Sequence, residues 1–330
     1  GISYEMHSML SHTEKPDREK VASNFSEMLA ANGFCEIMCN SLSPAAWFET
    51  TGDFDVKSMV RLANPLSSDL NVMRLSLLPG MLNTIAWNIN RQNSNLKLFE
   101  FGYTYARNEG KGTLEITDNF TEKQILALAL TGNINEKRWN APEMISGFFH
   151  LKGYAEMVLS RFGIARQELV GTEENRGWFA EGMRYTAGSL DVASFGKVSK
   201  KYLAMFDIRQ DVFYAEIIWE NLLRLISSRT IRFSELPKYP WVRRDLALLL
   251  DRSVKFSQIR DLAFKTERNI LREVDLFDLY ESEAMGKDKK SYAVSFILHD
   301  DRQTLTEKNI EKTMGALVKA FEREFGATLR

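Results

Sequence analysis

The sequence predicts an α+β protein of two domains, the second a ferredoxin-like βαββαβ unit. Three observations predict it. A length of 330 residues sets two domains as the expectation. From residue 240 onward, apolar residues alternate and then recur at helical spacing in the order strand, helix, strand, strand, helix, strand, which is the split βαβ order. Before that point, aromatic-rich alternating segments pair off as an antiparallel sheet with helices to one side.

Composition fits a globular chain with a sizeable core: 44% of residues are hydrophobic and 26% charged. The net charge of −1 supplies no broad field for nucleic acid or acidic lipid. From Phe233 onward there are 18 basic and 17 acidic residues, so any RNA contact must be local. Cys35 and Cys39 are the two cysteines, too few for a four-thiolate zinc site, and are expected to be buried or half-buried thiols of a reducing compartment. No window reaches the apolar length of a membrane span and no signal peptide is read. The opening GISYEM lacks an initiator Met, so a piece of a larger protein is expected.

Residues 16–32 read as a helix, with Pro16 and Asp17 near its start, Val21, Phe25, Met28 and Leu29 on one side, and Gly33 as its stop. Residues 34–42 look like a strand ending at Ser43-Pro44, and Asn64-Pro65 is a turn signal. Residues 73–91 contain a second helix, striped by Leu77, Leu78, Met81, Leu82, Ile85 and Ile89. LKLFEFGYTYAR, residues 96–107, is strand-like; residues 109–113 turn; QILALALT, residues 124–131, returns. Residues 148–162 form a helix with Tyr154, Val158 and Phe162 aligned. Short strands follow around residues 187–192, 202–207 and 214–219. The junction lies near residues 231–239, where RFSELPKYP carries Pro237 and Pro240. The domains are therefore residues 1–232 and 233–330.

A ferredoxin-like unit leaves one sheet face bare, and strand alternation says what lies on it. On residues 274–280, Phe277 and Leu279 point toward the helices, whereas Leu276, Asp278 and Tyr280 point away. On the following strand Tyr292, Val294, Phe296 and Leu298 meet the helices, and Ser291, Ala293 and Ser295 face out. The last helix answers with Ile310, Met314, Leu317, Val318, Phe321 and Phe325. Tyr280 offers a stacking surface worth roughly 1–3 kcal/mol per base. The Asp278 carboxylate accepts from a donor-bearing base edge, and the Ser291 hydroxyl can complete the pattern. Lys287, Lys289, Lys290, Arg243 and Arg244 are candidates for phosphate contacts, against the alternative of a solvated turn.

The C-terminal part resembles the anticodon-binding domain that ends the β subunit of bacterial phenylalanyl-tRNA synthetase. The resemblance is carried by Pro240, Arg243-Arg244-Asp245-Leu246, Leu276-Phe277-Asp278-Leu279-Tyr280, Lys289-Lys290-Ser291 and Thr304-Leu305-Thr306. The rest is similar to the class II synthetase-like, catalytic-like domain of that subunit, through Asn64-Pro65-Leu66-Ser67, Met73-Arg74-Leu75-Ser76-Leu77-Leu78-Pro79-Gly80, Phe99-Glu100-Phe101-Gly102 and Leu151-Lys152-Gly153. The ordered set covers essentially the whole chain. Two places depart from the family pattern: His150 stands where an Asp is usual, and Phe179-Ala180-Glu181-Gly182 where His-Pro-Gly is common.

The resemblance implies an inactive synthetase-like domain for residues 1–232 and an anticodon reader for residues 233–330. It implies that Asp278, Tyr280 and Ser291 meet the first anticodon base of tRNA-Phe, a guanine. The implied partners are tRNA-Phe and the catalytic α subunit in an α2β2 assembly, in the cytoplasm. ATP and Mg²⁺ would serve the whole enzyme, with no cofactor, metal ligand or catalytic residue in this stretch. The residues themselves agree. No glycine-alternating run precedes a phosphate-binding arginine, His7, His12, His150 and His299 lack metal spacing, and there is no G-x-S-x-G elbow or P-loop. Glu100 reads as a sheet-bonded strand residue. Arg74 precedes a helix that could hold an anion, but an ion pair is the plainer reading. Two other readings stay open at this stage. One is a stand-alone RNA-binding or regulatory paralogue, favoured by a separate full-length β subunit in the same genome. The other is a metabolic enzyme reusing the fold, which would have to bind ATP.

Overall fold

The computed structural model describes residues 17–108, 116–227, 229, 233, 236–282 and 288–329. The turn expected at residues 109–113, most of the junction near residues 231–239, and Lys287, His7 and His12 lie outside them. The chain divides into two compact units, Gly1–Thr230 and Ile231–Arg330.

In the first unit the order is α1 (Arg18–Ala31), β1 (Cys35–Glu36), β2 (Leu42–Ser43), α2 (Ala46–Glu49), β3 (Val72–Met73), α3 (Leu78–Ile89), β4 (Leu96–Arg107), β5 (Phe120–Thr131), β6 (Asn133–Asn135) and β7 (Met144–Ile145). There follow α4 (Phe148–Arg161), β8 (Leu169–Glu173), β9 (Phe179–Ala187), β10 (Leu190–Val198), α5 (Lys200–Met205), β11 (Val212–Ile218) and α6 (Trp219–Ser227). Seven strands make one sheet in the order β1-β4-β5-β11-β10-β9-β8, antiparallel except for the β1–β4 pair.

Helices cover both sheet faces, not one. Leu126, Leu128 and Leu130 of β5 pack with Phe25 and Leu29 of α1, Val158 and Leu159 of α4 and Leu222 of α6. Ile125, Ala127 and Ala129 pack with Met81 and Ile85 of α3 and Tyr202 of α5. A strand buried on both faces reads as the continuous apolar run ILALAL, which explains why alternation alone could not place the helices.

Four other expectations change. Residues 202–207 are not a strand, because α5 runs Lys200–Met205 and buries Tyr202 and Leu203. The expected strand at 187–192 straddles a hairpin whose turn is Gly188, at φ +59°. The strand at 34–42 shrinks to Cys35–Glu36 and Leu42. Cys35 is exposed instead of buried.

The second unit runs β12 (Val242–Asp251), α7 (Phe256–Thr266), β13 (Leu271–Tyr280), β14 (Lys289–Leu298), α8 (Glu307–Phe325) and β15 (Thr328–Leu329), with sheet order β13-β14-β12-β15. This is the expected βαββαβ unit. Thr306 caps α8 by accepting from the Asn309 amide at 3.4 Å, and Gly326, at φ +60°, ends it in the left-handed conformation that an L side chain resists. Ile310, Leu317 and Phe321 of α8 and Ile259 and Ala263 of α7 cover Leu248, Leu250, Val294, Phe296 and Leu298 on one sheet face. Among the described residues of this unit no helix packs on the other face.

Candidate nucleic-acid interface

Cross-strand register decides what stands on the uncovered face of the second unit. Ser291, Ala293 and Ser295 of the central strand β14 pair with Leu249, Ala247 and Asp245 of β12 on one side. On the other side they pair with Tyr280, Asp278 and Asp275 of β13. Directly opposed residues share a face, so Asp278, Tyr280 and Ser291 come together as the sequence suggests. Tyr280 is 48% exposed. Ser291 and Ser295 lie low in the sheet as small residues of its floor.

Two neighbours on β13 do not follow simple alternation. Leu276 was expected on the open face and Phe277 among the helices. The register jumps between Leu276, opposite Val294, and Asp278, opposite Ala293. One extra residue at this β-bulge puts Leu276 with the helix-side core and leaves Phe277 51% exposed. The Arg243 guanidinium sits 5.2 Å from the Phe277 ring centroid, within cation–π range.

The basic set divides. Arg243 stands on the open face, its Nε donating to Asp245 at 2.9 Å. Lys289 stands there too, opposite Asp251 and exposed. Arg244 pairs with Phe296 of the helix side and donates to Glu307 of α8 at 2.7 and 3.0 Å. Lys290 is buried, its Nζ 4.5 Å from the Tyr292 ring centroid. Of the four basic candidates within the described residues, Arg243 and Lys289 stand on the open face and Arg244 and Lys290 do not, because adjacent strand residues point to opposite faces. Asp245, Asp251, Glu273, Asp275 and Asp278 outnumber Arg243 and Lys289 on the open side. Such a face suits donor-bearing base edges better than phosphates.

The first unit has its own polar row. Glu100, Ala127, Glu216, Ser194 and Arg184 lie in register across β4, β5, β11, β10 and β9. Glu174, whose side chain is 1% exposed, accepts from Arg176 Nη2 at 2.8 Å, from Arg184 Nε and Nη2 at 3.0 Å, and from Ser194 Oγ at 3.0 Å. Burial pushes its pKa up, but the Arg184 and Arg176 bonds outweigh that and hold the carboxyl at about 2. Glu216 accepts from Ser76 and Tyr214 at 2.7 and 2.8 Å. Burial and the Glu216 charge push the Tyr214 phenol well up.

Arg74 and Glu100 form a buried pair at 2.7 Å, and Arg74 also donates to the Tyr103 carbonyl. Gly102 is required beside it, since a Cβ there would run into that guanidinium. Phe179 is buried beside Trp178 in the same layer. His150 lies on α4. Cys39 is half-buried, and burial together with Glu100 pushes its thiol up to about 11, away from reactivity.

Arg176 and Arg184 are the residue type that would hold nucleotide phosphates, but one internal carboxylate engages both. Among the described residues no group of three His, Cys, Asp or Glu side chains could hold a metal ion. In the polar row both guanidinium groups already pair with the Glu174 carboxylate. No helix among the described residues is long and apolar enough to cross a membrane.

Residues 237–330 match the family model "Ferredoxin-fold anticodon binding domain". Residues 4–219 match the model "Phenylalanyl tRNA synthetase beta chain CLM domain", and the chain belongs to the phenylalanyl-tRNA synthetase β-chain family. It is 41% identical to the phenylalanine–tRNA ligase β subunit of Bacteroides thetaiotaomicron over 98% of this chain. It is 37% identical to that of Porphyromonas gingivalis over 96%. The chain spans only 40% and 39% of the length of these relatives. Among solved structures, a pyrrolysyl-tRNA synthetase of Desulfitobacterium hafniense aligns with TM-score 0.48 and 19% identity, over 67% of this chain and 75% of that one.

Proposed function

We propose that this chain is a non-catalytic part of a phenylalanine–tRNA ligase β subunit that reads the anticodon of tRNA-Phe on the open sheet face. The observation that carries this reading is the register that gathers Asp278, Tyr280 and Ser291 on a face with no helix over it. A guanine edge presents an N1–H and an amino group, both donors, and a carboxylate such as Asp278 accepts both. Tyr280 supplies the stacking surface and Ser291 a short hydroxyl beneath. Lys289 steadies the backbone.

The chemistry of charging, with its ATP and Mg²⁺, belongs in this reading to a partner α subunit in the cytoplasm. The first unit contributes assembly surface, since its polar row is internally neutralised and its relatives are named as β subunits. Sedimentation of the chain with the α subunit of the same organism should give a heavier joint species; independent sedimentation would remove the assembly role from this stretch. In the rebuilt enzyme, Tyr280→Ala should raise KM for tRNA-Phe roughly 10-fold or more while kcat changes little. An unchanged KM would count against this use of the face.

A further inference from the structure

We propose that Phe277 and Arg243 form a second base-stacking site on the open face, which receives the nucleotide adjacent to the one at Asp278 and Tyr280. This rests on the anticodon reading and names a contact beyond it. The core does not require Phe277, because Val274 and Leu276 already supply the helix-side packing of this stretch of β13. The bulge instead leaves a large ring 51% exposed on the edge strand β13, beside Arg243 of the open face. Bulges beside functional sites re-aim side chains in this way. Phe277 lies three residues from Tyr280, about 10 Å along the strand, a distance that one splayed nucleotide step covers.

The Arg243 guanidinium is placed to border a base and not to close the ring off. It stands 5.2 Å from the Phe277 centroid, whereas Arg91 closes down on Trp87 at 3.6 Å. Asp245 holds it from behind at 2.9 Å. That carboxylate reduces its value as a phosphate clamp and fixes its plane. A base therefore slides onto the ring with the guanidinium at its edge, the pattern by which unstacked bases are held on aromatic and arginine planes. Asp275, two residues before Phe277 and opposite Ser295, adds an acceptor for an exocyclic amino group on that base.

The test is binding of this chain, by fluorescence anisotropy, to a stem-loop RNA carrying the phenylalanine anticodon. It is repeated with RNAs made abasic at either neighbour of the first anticodon base. Phe277→Leu should weaken binding roughly tenfold, and Phe277→Tyr should retain it. The Phe277→Leu effect should vanish on one of the two abasic RNAs, a coupling that a merely structural role would not produce. Melting temperatures of the variants, expected unchanged for a half-exposed ring, exclude unfolding as the cause. If Tyr280→Leu weakens binding and Phe277→Leu does not, the second site is overturned and the anticodon reading stands. If neither variant changes binding, or the unmodified chain does not bind the RNA, both fall.

Discussion

The two sheets of this chain each carry polar side chains on one face, and they treat them in opposite ways. In the first unit Glu174 gathers Arg176, Arg184 and Ser194, Glu216 gathers Ser76 and Tyr214, and Glu100 holds Arg74. Each of these carboxylates meets donors from its own unit. In the second unit Tyr280 and Phe277 stand half-exposed beside Asp278 and Asp275, over a floor of small residues, with no helix above them. A network whose ion pairs close within one unit specifies a fold and leaves little charge to offer a ligand. An uncovered face with acceptors and rings keeps its binding capacity. The difference teaches that polar residues on a synthetase-like sheet do not mark a working site; what matters is whether their partners already belong to the chain.

The largest effect expected from breaking this contrast is on Glu174. Glu174→Ala takes the carboxylate from Arg184 and leaves Arg176 only Glu216, at 3.7 Å. Losing one partner of a buried charged network costs roughly 3–5 kcal/mol. Since the two arginine side chains are about one-third exposed, about 3 kcal/mol is the expectation. Urea denaturation of the chain, followed through the tryptophans of the first unit, measures it. A loss below about 1 kcal/mol would mean that the arginines simply rehydrate, and that the row is a surface cluster instead of a locked one.

The same carboxylate makes the first unit acid-sensitive. Its folded pKa, about 2, lies below the ordinary value of 4.5. The ionised form is thus favoured by folding: its contribution is complete above pH 4.5 and is lost as the pH falls from 4.5 toward 2. The melting temperature of the first unit should fall across that window. Glu174→Gln, with no charge to titrate, should flatten that dependence. An unchanged slope would assign the acid sensitivity to other carboxylates.

Element type was legible in the sequence wherever a pattern ran long. The strand read from LKLFEFGYTYAR is β4 to the residue, and the last six elements came out in order. The misreadings have physical causes. YLAMFD is too short an apolar run for periodicity to separate strand from helix, so α5 was missed. Gly188 marks its hairpin by a positive φ, but the apolar residues on both sides hid the turn. The shared face of Asp278, Tyr280 and Ser291 was legible because alternation holds within each strand segment. Phe277 was not, because a one-residue bulge reverses parity without a sequence mark of its own. Glu174 was missed altogether; beyond Arg176, two residues on, its partners arrive from ten and twenty residues away, and no local signal connects them.

The smallest expected effects separate the two faces of β12 and β14 most finely. Arg244 and Lys289 are both basic and both near the same sheet, yet the register assigns them to opposite sides. Arg244→Ala removes an exposed pair with Glu307 and should cost about 0.5 kcal/mol of stability, leaving affinity for the anticodon stem-loop and its salt dependence unchanged. Lys289→Ala should leave stability unchanged and lower the salt slope of RNA binding by about 0.7, the value for one phosphate contact on a single strand. If Arg244→Ala changed the slope instead, the RNA would have to reach the helix side of the sheet. The register of Asp278 and Tyr280 would then have no part in its recognition.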